Sequence, residues 1–315
     1  LAEVSGVKLP DIKAATIGFS FGPRLNAAGR LETAKLSLDL LLSKDMEQAR
    51  KLAASLDEQN RLRQELTKQT QEQAIRMMDP EEVPELIAAA DPAFNMGVVG
   101  LAASKLAEKY YRPAVIGARG EEFTRASCRS IAEFHITQAL DQCADLLDRH
   151  GGHAMAAGFT VKNENWPELT GRLLSIARRE LAGKTLQPAK MADMELPPDY
   201  FREDLLAQIA EMEPFGYGNP EAVFILRDLQ IKSARPVGAD QDHLRLSMIT
   251  GSNAILDGIA FRQAFWARQL PPRIDVLCML EKNTWKDKTT LQLNVIDIRP
   301  AENPEHNRNP ENSPE

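Results

Sequence analysis

The sequence predicts an α/β domain followed by an all-β domain, with a long connector helix ahead of both. Three observations carry that prediction. Residues 44–78 contain neither Gly nor Pro, which permits one uninterrupted helix. Residues 84–183 alternate strand-like and helix-like runs, the pattern of a layered α/β unit. Residues 223–298 hold about five strand-like runs with one short helical insertion, the pattern of a small closed sheet.

The first stretch, residues 1–43, consists of short apolar patches with turn residues, then Leu36, Leu38, Leu40, Leu41 and Leu42. It is too small to stand alone and reads as the closing piece of a domain. In residues 44–80, Met46, Ala49, Leu52, Ala53, Leu56, Leu66 and Ile75 recur near helical spacing among many Gln, Glu, Lys and Arg. Such a helix would run roughly 50 Å at ~1.5 Å per residue, and its polarity suits a connector better than a core.

In the α/β stretch, residues 84–185, strands are expected at Leu86–Ala90, Ala114–Gly117, Phe123–Cys128 and Ala156–Val161. Helices are expected at Gly97–Tyr110, Thr137–Arg149 and Pro167–Leu181. The final domain, residues 195–300, opens with a helix at Glu203–Met212. Its strands are expected at Val223–Ser233, Leu244–Thr250, Ala254–Phe261, Ile274–Leu280 and Thr290–Ile298. Five short strands in about 80 residues suggest a barrel of the OB type. Residues 301–315 are rich in Pro, Asn and Glu and read as a disordered tail.

The 315 residues are 43% hydrophobic and 26% charged, the balance of a globular protein. No run approaches the ~18–20 apolar residues of a membrane helix, and no basic-then-apolar leader opens the chain, so the cytoplasm is the expected compartment. Cys128, Cys143 and Cys278 are widely spaced and read as packed thiols, not as a disulfide framework or a zinc site. The formal charge of −7 excludes a surface coated in phosphate-attracting cations, so nucleic-acid contact must be local. The chain begins at Leu1 and enters patterned sequence at once, which points to a truncated beginning.

Gly151-Gly152-His153 reads as a phosphate-handling loop. Glycines let backbone N–H groups approach a ligand, and the imidazole donates to a phosphate oxygen. Ser127, Arg129 and Ser130 place two hydroxyls and a guanidinium near a strand end, where α/β domains carry ligands. Arg24 and Arg30 flank a Gly- and Pro-containing segment and present two forked cations to a terminal phosphate; Asn26 either bonds that phosphate or caps a helix. Trp285 between Lys282, Lys286 and Lys288 suits a stacking platform for unpaired bases, with Lys286 beside it. Phe261, Phe265 and Trp266 read as core or interface. Asp240-Gln241-Asp242-His243 reads as a turn, and no metal site is expected.

Five ordered motifs give these patches a common source. Gly22–Arg30 resembles GPRxNAAGR and Leu56–Gln64 resembles LDxxNxxRQ. Gly97–Gly100 with Tyr110–Pro113, Ser127–Ser130 as SxRS, and Glu213–Phe224 as EPFGxGNPEPVF complete the set. In that order they resemble the RecJ-type single-stranded-DNA exonucleases of the DHH phosphoesterase superfamily. Phe94-Asn95-Met96 departs from the Trp-His-x pattern of that family, and no Asp-His-His motif occurs.

The resemblance implies that residues 1–43 are the end of a DHH domain and 84–185 a DHH-associated substrate-binding domain. It implies the nucleic-acid-binding portion of a 5′-to-3′ exonuclease of repair and recombination. Mn2+ or Mg2+ would be held by a DHH domain upstream, with no cofactor in this segment, which alone would be inactive. Single-stranded DNA is the implied partner, with repair proteins such as a single-strand-binding protein or a helicase, and no membrane. A DHH-type phosphodiesterase of short oligonucleotides or cyclic dinucleotides, and a non-catalytic single-strand-binding adaptor, are the alternatives. The main reading needs a shallow groove between the middle and final folding units, with Arg129 and His153 facing one cavity.

Overall fold

A computed structural model describes residues 1–79, 82–285 and 288–301, except the side chains of residues 284, 285, 288 and 289. Lys286, the side chain of Trp285 and residues 302–315 of the expected tail therefore lie outside the described residues. The chain divides into two compact units, Leu1–Ala189 and Lys190–Glu315.

In the first unit, the short helices α1 (Ala2–Ser5) and α2 (Ala14–Thr16) precede α3 (Gly22–Leu31), α4 (Lys35–Leu42) and the long α5 (Met46–Arg76). Asp45 caps α5, its carboxylate accepting the Gln48 N–H at 2.8 Å, which satisfies a donor the helix itself leaves free. The buried stripe of α5 runs through Ala53, Leu56, Asp57, Asn60, Thr67, Thr70 and Ala74, the 3–4 residue spacing of one helical face. Four of those seven side chains are polar, and three have identified partners. Asp57 takes Arg24 and Arg61, both at 2.8 Å, Asn60 takes Arg63 at 2.9 Å, and the Thr67 hydroxyl donates to the Arg63 carbonyl at 2.7 Å. Burial without such partners would be costly.

The sheet of this unit has the order β1-β2-β3-β5-β4. Its strands are β1 (Ile87–Asp91), β2 (Ala114–Arg119), β3 (Phe123–Arg129), β4 (Leu147–His153) and β5 (Ala156–Lys162). Helix α6 (Val99–Tyr110) is the crossover between the parallel pair β1 and β2, and the remaining pairings are antiparallel. One face packs Val115, Ala126, Cys128, Phe159 and Val161 with α7 (Ile136–Asp141) and α8 (Trp166–Leu181). On the other face Ile87, Ala89, Ala114 and Ile116 pack against Val99, Ala102, Ala103 and Leu106 of α6.

The helix expected over Thr137–Arg149 is corrected here: it stops at Asp141, and Leu147–His153 is an edge strand. That segment has no apolar helical stripe, and each residue from Arg149 to His153 pairs in register with β5 across a two-residue turn at Ala154-Met155. Gly151-Gly152-His153 is therefore the end of a strand, not a loop.

The second unit begins with β6 (Met194–Glu195) and α9 (Glu203–Ala210). A barrel follows, made of β7 (Phe224–Val237), β8 (His243–Ile249), β9 (Ile255–Ala260), β10 (Arg273–Trp285) and β11 (Lys288–Pro300). β7 pairs with both β8 and β10, and β9 pairs with β11 in parallel, which closes the sheet. Alternate residues Leu244, Leu246 and Met248 of β8, with Leu226, Val276, Cys278, Leu293 and Val295, fill the interior. Gly258 sits where β9 meets β11: a Cβ there would approach Val295 Cγ2 at 3.1 Å and Met248 Cε at 3.2 Å. Buried Asp275 ties the strand ends together, accepting from Arg227 at 2.9 Å, Arg299 at 3.1 Å and the Asp228 N–H at 3.0 Å. Of the three aromatic residues expected in a core or an interface, Trp266 packs against the barrel core, while Phe261 and Phe265 are exposed and so are not core residues.

Candidate functional site

Pairing register decides which side chains share a face of a sheet. Across β3, β5 and β4 three rows run in parallel: Arg129–Ala156–His153, Ser127–Gly158–Gly151 and Arg125–Thr160–Arg149. Through β2 the same rows continue to Ala114, Ile116 and Ala118, on the face covered by α6. Beyond α6 that face is open: Arg125, Arg149, Gly151 and His153 are exposed, and Ser127, Arg129 and Gly158 half-buried. Arg129 and His153 thus face one surface two strands apart, about 10 Å between Cα atoms. All of it comes from the first unit.

The glycines act differently. Gly152 has φ +149°, and a Cβ there would lie 2.4 Å from the Ala156 carbonyl oxygen, so the backbone itself requires glycine. Gly151 has nothing within 4 Å of its Cβ position; its missing side chain leaves the floor low. The turn after His153 is held by α7, whose Thr137 hydroxyl donates to the His153 carbonyl at 2.8 Å while the Ile136 N–H donates to the Ala154 carbonyl at 3.1 Å.

The N-terminus of α6 closes one side. A Cβ on Gly100 would lie 3.1 Å from Ser127 Oγ and 3.3 Å from Arg129 Nη2, so both groups border the first turn of the helix. A helix N-terminus offers free N–H groups and partial positive charge to an anion. Arg129 Nη1 also donates to its own neighbour, the Cys128 carbonyl, at 2.8 Å, which fixes the guanidinium without neutralising it. A Cβ on Gly97 would fall 1.9 Å from the Arg30 carbonyl oxygen, so the end of α3 lies directly on the approach to α6. Burial, and then the Arg30 charge, hold the Arg63 guanidinium below its ordinary pKa, and its Nε is buried without a partner. Cations accumulate at this junction.

Other expected site residues are placed elsewhere. Ser130 is buried and its hydroxyl donates to the Phe134 carbonyl at 2.6 Å, so only one of the two hydroxyls faces the open surface. Arg24 and Arg30 both lie in α3, six residues or about 600° apart, so their side chains diverge by roughly 120° and form no fork. Arg24 is half-buried; it pins α3 to α5 through Asp57 at 2.8 Å and donates to the Ser20 carbonyl of the preceding turn at 2.7 Å. Asn26 and Arg30 are exposed on α3. Gly22–Arg30 is helical throughout, and a π-helical turn over Ile17–Phe21 runs directly into it just ahead of Pro23.

Sequence reasoning named Gly97 and Gly100 only as part of a motif, with no role at the site, and missed Arg125 and Arg149. Period-two reading of Thr124-Arg125-Ala126-Ser127-Cys128-Arg129 puts Arg125 on the face of Ser127 and Arg129. Arg149 was hidden by the helical reading of its segment.

Residues 83–182 match the DHHA1 domain and residues 192–297 the RecJ OB domain. The single-stranded-DNA-specific exonuclease RecJ of Bacillus subtilis strain 168 is 32% identical over 307 residues, 96% of this chain and 39% of that protein. The crystal structure of RecJ in complex with Mg2+ from Thermus thermophilus aligns with TM-score 0.81 at 30% identity, covering 96% of this chain and 46% of that one. The Mn2+ complex from the same organism gives TM-score 0.81 at 31% identity, over 96% and 44%. The chain spans less than half the length of these three proteins. With five family motifs in order, both domain matches and a shared fold along nearly its whole length, the chain belongs to the RecJ family.

Proposed function

We propose that this chain is the nucleic-acid-binding, C-terminal portion of a RecJ-like 5′-to-3′ single-stranded-DNA exonuclease of repair and recombination, in which the open sheet face receives the strand's terminal phosphate. The observation supporting this is the convergence of Ser127, Arg129 and His153 over a floor of Gly151, Ala156 and Gly158, beside the first turn of α6. Arg129 supplies a charge-assisted hydrogen bond to a phosphate oxygen. Ser127 and His153 donate from either side, and the low floor admits the phosphate to bonding distance. The barrel of the second unit holds unpaired bases, and Trp285 and Lys286 are its proposed contacts.

Among the described residues no group of three or more His, Cys, Asp and Glu could hold a metal ion. The described residues therefore offer no site that fits the Mg2+ or Mn2+ of the related crystal structures. Cleavage is proposed to need residues beyond those described, leaving this segment inactive alone. Single-stranded DNA, and a single-strand-binding protein or helicase, are the proposed partners. No described helix is long and apolar enough to cross a membrane.

Fluorescence anisotropy of labelled oligonucleotides tests this reading. A 5′-phosphorylated strand is expected to bind the chain more tightly than its 5′-hydroxyl counterpart, with the preference falling in Arg129→Ala. Equal affinity for both strands, with a dependence on length alone, would support an adaptor instead.

A further inference from the structure

The row Arg125–Thr160–Arg149 is not used by the terminal-phosphate reading. It lies on the same open face, one row beyond Ser127–Gly158–Gly151, about 7 Å along the strands. Both arginines are exposed, and neither belongs to an ion pair among the described residues. Arg149 Nε donates to the buried Thr160 hydroxyl at 3.3 Å, which draws its guanidinium inward over β5 toward Arg125. The Cα atoms of the two arginines are about 10 Å apart, and side chains of this length can place both guanidiniums on one anion between them. Asp91, the carboxylate on the same row, stands two strands to the far side of Arg125 and accepts the Ala93 N–H at 2.8 Å. On a chain of net charge −7, two cations left unpaired side by side, with a glycine floor leading to them, mark a place for a second anion.

We infer that Arg125, Thr160 and Arg149 form a second phosphate subsite, so that the face binds two phosphate groups in tandem, not a lone terminal one. Its ligand is a phosphate one step from the first along the same polynucleotide end. The inference rests on the terminal-phosphate reading only for what fills the neighbouring row. Two sources share this chemistry: the first internucleotide phosphodiester, and the outer phosphates of a 5′-triphosphate.

The test compares the 315-residue chain with Arg125→Ala/Arg149→Ala by anisotropy over a salt series. The probes are oligothymidylates bearing a 5′-hydroxyl, a 5′-phosphate, a 5′-phosphate with a neutral methylphosphonate first linkage, or a 5′-triphosphate. Both residues are exposed, and circular dichroism confirms that the variant is folded. The variant is expected to bind the strand that fills the subsite about tenfold more weakly, with its log Kd against log[NaCl] slope shallower by about 0.7, one phosphate's worth; that strand is the 5′-phosphorylated one if the phosphodiester is the source and the 5′-triphosphorylated one if the terminal chain is. Its preference for 5′-phosphate over 5′-hydroxyl should be retained. If the phosphodiester is the source, the methylphosphonate strand loses the same factor on the parent chain and nothing further on the variant. If the terminal chain is the source, the triphosphate strand binds the parent more tightly than the monophosphate, and that gain vanishes in the variant. Unchanged affinity and slope for every strand overturn the second subsite, as does loss of the 5′-phosphate preference itself, which would merge the two rows. A parent chain with no 5′-phosphate preference whose slope still falls in the variant would instead sink the terminal-phosphate reading while leaving this row in place.

Discussion

The α6 face of the first unit's sheet is two surfaces in one. Over β1 and β2 it carries Ile87, Ala89, Ala114 and Ile116 and is sealed by α6. Over β3, β5 and β4 the same rows carry Arg125, Ser127, Arg129, Gly151 and His153 and stay open. Both halves obey the same two-residue alternation and share hydrogen-bonded register. The difference lies in what the outward positions can bury: alanine and isoleucine gain from a helix roof, whereas arginine and histidine lose solvation under one unless an anion arrives. One half is covered by its own chain, and the other is the face proposed to take a ligand.

Gly97 breaks this comparison most severely. A Cβ would meet the Arg30 carbonyl oxygen at 1.9 Å, so Gly97→Ala must separate α3 from the start of α6. A loss of about 3 kcal/mol or more in denaturant unfolding is expected. Gly152→Ala comes next. Its φ of +149° and a 2.4 Å approach to the Ala156 carbonyl predict a loss of about 1–3 kcal/mol, with the β4–β5 hairpin losing hydrogen-exchange protection first.

Gly151→Leu sharpens the contrast, because the added side chain enters open space. Stability should stay within about 0.5 kcal/mol while oligonucleotide affinity falls about tenfold; unchanged affinity would show that this floor is not where DNA lies. The opposite face of the sheet, packed under α7 and α8, offers the smallest effect. Burial pushes the Cys128 thiol from 9.0 up to about 12, and only the thiolate is nucleophilic. Native protein should therefore resist iodoacetamide at about pH 8 and react once unfolded. Because the unfolded chain ionises this thiol earlier, its influence on stability is nil below the unfolded pKa. Stability is then lost as pH rises from 9.0 toward 12.

Much of this was legible in the sequence. The absence of Gly and Pro over residues 44–78 fixed α5, and alternation in Leu244-Arg245-Leu246-Ser247-Met248 marked a barrel strand with one buried face. Ser127, Arg129 and His153 were readable as donors, and register brings them to one surface. Leu147–His153 was not readable as a strand, because an exposed edge strand with two glycines lacks the apolar alternation that announces one. Ser130 and Arg24 misled for a related reason: residue type states what a side chain can donate, while the nearby Phe134 carbonyl and Asp57 carboxylate that consume those donors are set only by the folded backbone. Gly97 and Gly100 reveal their purpose only through the atoms their absent side chains would strike.

The most direct measurement is a double-mutant cycle between Arg129 and the terminal phosphate, in which Kd values are read for parent and Arg129→Ala on strands with and without a 5′-phosphate. The account predicts a coupling of about 1.5–3 kcal/mol, the range for hydrogen bonds to charged groups, so that removing the phosphate costs the variant almost nothing. Additive losses, with the variant keeping the full phosphate preference, would contradict it.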